Sequence, residues 1–92
     1  MGKWLVISEQ TVMADGAPPQ QWIEVLRTLP GSKSRDEALV ALRNEAKKYK
    51  PACLKGASRV VGQDSDGSFW ILPKNGAGHA RCNVRLIEQV HP

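Results

Sequence analysis

Ninety-two residues, 41% apolar and 24% charged, suit one domain with a single core and argue against disorder. No stretch approaches the ~20 apolar residues of a membrane span, and the run Trp4-Leu5-Val6-Ile7 ends at Ser8, too short for a secretory leader. The net charge of +4 is local: from Arg43 to Arg59 six basic residues stand against Glu45 alone, an excess of +5, while the remaining seven basic and eight acidic residues sum to −1. Residence in the cytoplasm, with no membrane partner, is the expectation by elimination.

Residues 4–13 are β-branched and aromatic with no helical start signal, which predicts a strand. Asp15-Gly16-Ala17-Pro18-Pro19 is a turn-rich loop. Residues 22–29 predict a second strand, with Ile23, Val25 and Leu29 on one side and Trp22, Glu24, Leu26 and Thr28 on the other.

A helix over residues 34–50 carries the clearest signal. Ser34-Arg35-Asp36-Glu37 has the form of a capping box, in which the Ser34 hydroxyl takes the Glu37 amide and the Glu37 carboxylate reaches back. Pro51 closes the other end by disfavouring helical geometry at Lys50. Ala38, Leu39, Leu42, Ala46 and Tyr49 fall within an arc of about 100°, the width of a core-facing stripe. Arg43, Lys47 and Lys50 form a neighbouring ridge at i, i+4, i+7, near the negative end of the helix dipole.

Three further strands follow. Residues 59–63 and 68–72 flank the hairpin turn Asp64-Ser65-Asp66-Gly67. The turn at residues 74–78 leads into 81–90, where Cys82, Val84 and Leu86 alternate with Arg81, Asn83 and Arg85. The order is ββαβββ in a single domain spanning residues 1–92: an α+β fold, mainly antiparallel, with one amphipathic helix packed on one face. Phe69-Trp70-Ile71-Leu72 is apolar on both sides, so this strand belongs at the centre of the sheet, or its second face must be covered. One helix covers one face. Trp22, Leu26, Trp70 and Leu72 therefore mark a candidate association face.

No catalytic or cofactor motif is present. Cys53 lies between Lys50 and Lys55, and nearby ammonium groups favour a thiolate; His79 or His91 could serve as its base only if the fold brings one close, and no family signature surrounds it. His79, Cys82, His91 and Cys53 equal a zinc set in number and lack its paired spacing. Asp64-Ser65-Asp66-Gly67-Ser68 fails as a calcium loop, because Phe69 and Asn75 occupy the sixth and twelfth positions. The glycines around Asn75 precede a strand, whereas a phosphate cradle opens a helix.

The reading that follows is a small non-enzymatic interaction module, self-associating as a homodimer or binding a protein partner through the apolar sheet face or an edge strand. The alternative is a nucleic-acid accessory protein using Arg43, Lys47, Lys48, Lys50, Lys55 and Arg59, with Tyr49 and Trp70 as stacking residues.

Overall fold

The computed structural model describes residues 3–12, 18–51, 58–74 and 81–91. Chain order is β1 (Trp4–Val12), β2 (Gln20–Leu29), α1 (Arg35–Lys48), β3 (Arg59–Gln63), β4 (Phe69–Pro73) and β5 (Cys82–Glu88). The five strands form one antiparallel sheet in the order β2-β1-β5-β4-β3, and α1 packs on one side of it. The α+β architecture read from the sequence is the architecture present.

The capping box forms at the start of α1: the Glu37 amide donates to Ser34 Oγ at 3.2 Å, and the Ser34 amide donates to Glu37 Oε1 at 3.0 Å. Tyr49 is the C-cap, in extended geometry, with its amide on the Glu45 carbonyl at 2.9 Å. The helix thus stops before Lys50, which lies in the extended stretch ahead of buried Pro51. The core is built from Val6, Leu42, Ala46, Phe69, Ile71, Cys82 and Val84, with Leu26, Leu39, Tyr49 and Leu86 packed against it. The expected helical stripe is the buried one.

The strand apolar on both sides, β4, is an interior strand paired with β5 and β3, while β5 is the middle strand, between β1 and β4, and the β3–β4 hairpin places β3 at the edge. One strand expectation is corrected: the alternation of β2 breaks. Val6 opposes Arg27 and Ile7 opposes Val25, so Leu26 is an extra residue in a β-bulge. The bulge leaves Leu26 packed on the core and returns Leu29, which pairs with Trp4, to a buried position.

Candidate interaction surfaces

Pairing register decides which side chains share a face, because directly opposed residues project to the same side. Val6, Ser8 and Gln10 of β1 face the helix and are buried there. The Tyr49 hydroxyl accepts from Gln10 Nε2 at 3.1 Å and from Ser8 Oγ at 3.4 Å, tying the helix end to β1. Trp22 opposes Gln10, and Glu24 opposes Ser8, so both lie on the helix side of β2. Trp70 opposes Asn83, and Leu72 is in phase with it, on the other side. The four residues expected to form one association face are therefore split, Trp22 and Leu26 toward the helix, Trp70 and Leu72 away from it. The cause is strand phase: β2 pairs with β1 in a register that composition along β2 does not reveal.

The face without the helix has its own membership. Across the row containing Trp70 run Ile23, Glu9, Asn83, Trp70 and Gly62. Two residues along, Val25, Ile7 and Arg85 lie side by side, followed by Leu5 and Ile87. On the far side Leu72 pairs with Val60. The result is two apolar corners, one of exposed Ile23, Val25 and Ile87 with half-buried Leu5 and buried Ile7 between them, the other of exposed Val60 and Leu72 with half-buried Trp70. Ile23 is 59% exposed, Val25 54%, Val60 45%, and Leu72 and Ile87 38% each.

A polar band separates the corners. Arg85 Nη1 donates to Glu9 Oε1 at 2.6 Å and to Asn83 Oδ1 at 3.1 Å. Asn83 Nδ2 in turn donates to Ser68 Oγ and the Phe69 carbonyl, both at 3.2 Å. A shallow depression of about 160 Å³ lies in this band, with Glu9, Thr11, Gln21, Trp70, Arg81 and Asn83 in its lining. None of the band residues was singled out from the sequence, since their adjacency exists only across strands.

The β3–β4 turn uses up its own carboxylates. Gly67 takes φ +89°, the left-handed geometry the turn demands. Asp64 accepts from the Ser65 amide at 2.7 Å and from the Trp70 indole at 2.9 Å. Asp66 accepts from the Ser68 hydroxyl at 2.6 Å and its amide at 2.8 Å, contacts that hold its carboxyl below its ordinary pKa. The turn reading of this segment fits its bonds, and Trp70 is held by its indole at one rim of the open face.

On the helix side, Glu45 is nearly buried and sits between two cations, Lys48 Nζ at 3.2 Å and Arg27 Nη1 at 3.7 Å. Arg43, Lys47 and Lys50 are exposed. Arg59 Nη2 donates to the Lys47 carbonyl at 3.2 Å, which fixes this guanidinium at the C-terminal end of α1. Lys55 lies outside the described residues, as do Cys53 and His79. Cys82 is buried in the core, its Sγ 4.0 Å from the Asn83 carbonyl oxygen, and His91 is exposed near the C-terminus. Among the described residues no cluster of three His, Cys, Asp or Glu could hold a metal ion, and no helix is long and apolar enough to cross a membrane.

Comparison with known protein families, curated proteins and solved structures finds no match to this chain. Surface chemistry carries the functional reading.

Proposed function

We propose that this protein is a non-enzymatic interaction module that self-associates through the sheet face opposite α1. The observation that carries this is the pair of apolar corners flanking a polar band on a face with no covering layer among the described residues. The occupant that fits is a second copy. A two-fold axis makes an interface self-complementary, and this face offers both signs of charge in its band, Glu9 beside Arg85. Such an axis can lay apolar corners on apolar corners while the band meets itself.

Several polar groups that could do chemistry are engaged in the fold: Glu9 with Arg85, Asp64 with Trp70, Asp66 with Ser68, and the Tyr49 hydroxyl with Gln10. Sedimentation velocity at increasing protein concentration tests the proposal. A shift toward twice the monomer mass by high micromolar concentration is expected. A sedimentation coefficient that stays monomeric throughout that range overturns it.

A further inference from the structure

We infer that the outer flank of α1 is a second docking surface, for the phosphate backbone of duplex nucleic acid. It lies on the opposite side of the sheet from the open face and does not rest on self-association. The fold sorts the charges of the helix's C-terminal half. Glu45 is two residues from both Arg43 and Lys47, which at 3.6 residues per turn places it about 160° around the cylinder from each. There it is nearly buried and held by Arg27 and Lys48. The one acid of this half is thereby removed from the flank that carries Arg43 and Lys47. Those two are exposed one turn apart and have no ion pair with a described residue. Arg59 joins them from β3, pinned to the Lys47 carbonyl, and Lys50 follows directly beyond the cap. Asp36 is the acid on the same line, two turns toward the N-terminus from Arg43.

Three features select the ligand class. A linear run of cations suits a linear polyanion, and the Arg43 guanidinium can bind phosphate with two parallel hydrogen bonds, whereas Arg59, with Nε buried and Nη2 on the Lys47 carbonyl, contributes charge. A membrane-surface helix needs an exposed apolar face, but here Leu42, Ala46 and Tyr49 are committed to the core. Base stacking on single strands needs open aromatic rings. Tyr49 is packed under the helix, its hydroxyl bonded to β1, so the stacking role expected for it from the sequence is withdrawn. Trp70 lies on the other side of the sheet, and Trp22, exposed on the helix side, stands on β2, at the sheet edge opposite β3 and Arg59. What remains is backbone contact without base reading.

Fluorescence anisotropy with a labelled mixed-sequence duplex provides the test. Three to four phosphate contacts give a log-affinity slope against log salt of about −3 to −4, or a loss of roughly 60–250-fold between about 50 and 200 mM salt. Arg43→Glu/Lys47→Glu should weaken binding at least roughly tenfold. Lys3→Glu/Lys33→Glu, with the same change in net charge at exposed positions elsewhere, should weaken it far less. Circular dichroism of both variants checks that the helix is kept. No duplex binding at the lower salt, equal losses in the two variants, or tighter binding to polyglutamate or to phosphatidylserine vesicles than to the duplex would each overturn the assignment.

Discussion

Tyr49 shows how much one residue does at the junction of helix and sheet. Its backbone caps α1, its ring packs on the core, and its hydroxyl accepts from Gln10 and Ser8. The helical spacing places Tyr49 on the core arc, but the polar partners on β1 could not be read from it. Buried Ser8 and Gln10 look out of place in an otherwise apolar strand until the phenol is positioned above them. Tyr49→Phe keeps the ring and removes the acceptor. It should cost about 0.5–1.5 kcal/mol, the net worth of an ordinary intramolecular hydrogen bond. Urea denaturation measures this as a lower midpoint at unchanged slope. Leu42→Ala, by contrast, deletes a fully buried side chain of the core cluster that also holds Ile71 and Val84, and should cost about 2–5 kcal/mol. A Tyr49→Phe loss as large as that of Leu42→Ala would mean that the hydroxyl organises the whole helix seat.

At the scale of elements, local signals were legible and cross-strand ones were not. The capping box, the terminating Pro51 and the Asp64–Gly67 turn each depend on residues within four positions of one another. All three are present. The Ser34 amide and hydroxyl, aided by Lys33, hold the Glu37 carboxyl below its ordinary pKa. A carboxylate favoured in the folded state stabilises above its unfolded pKa, and the contribution is lost as pH falls through the lowered folded value. Helix content should therefore begin to drop below the ordinary glutamate range. In Glu37→Gln that part of the acid dependence should be absent. Far-UV circular dichroism against pH compares the two, and superimposable acid limbs would show that the box contributes nothing. The face assignment of β2 is right as far as Leu26 and fails beyond it for a different reason. Strict alternation puts Thr28 with Leu26 and Leu29 with Val25, but the bulge against Val6 gives Leu26 and Arg27 one shared partner, so Thr28 and Leu29 exchange sides. No residue in Val25-Leu26-Arg27 announces a bulge. It is set by pairing with β1, so Arg27 reaches Glu45 and Leu29 is buried in a way the strand's own pattern conceals.

For the whole molecule, one helix on a five-stranded sheet is the determining fact. A second layer is missing over the open face among the described residues. If a second copy is the missing layer, stability must depend on protein concentration, because assembly stabilises the folded state by mass action. The thermal midpoint of the wild type should rise with concentration. Ile23→Lys and Leu72→Glu place a charge in each apolar corner, at side chains that a lone chain leaves 59% and 38% exposed. In a monomer such surface changes fall within about 0.5 kcal/mol, so at high dilution both variants should melt with the wild type. At high concentration they should fall behind it. Trp22→Lys is the discriminating control: Trp22 is 52% exposed yet lies on the helix side, so its midpoint should keep the wild-type concentration dependence. If Trp22→Lys abolishes that dependence while Leu72→Glu leaves it intact, the copies meet through the helix side or the β2 edge, and the open face is not the interface.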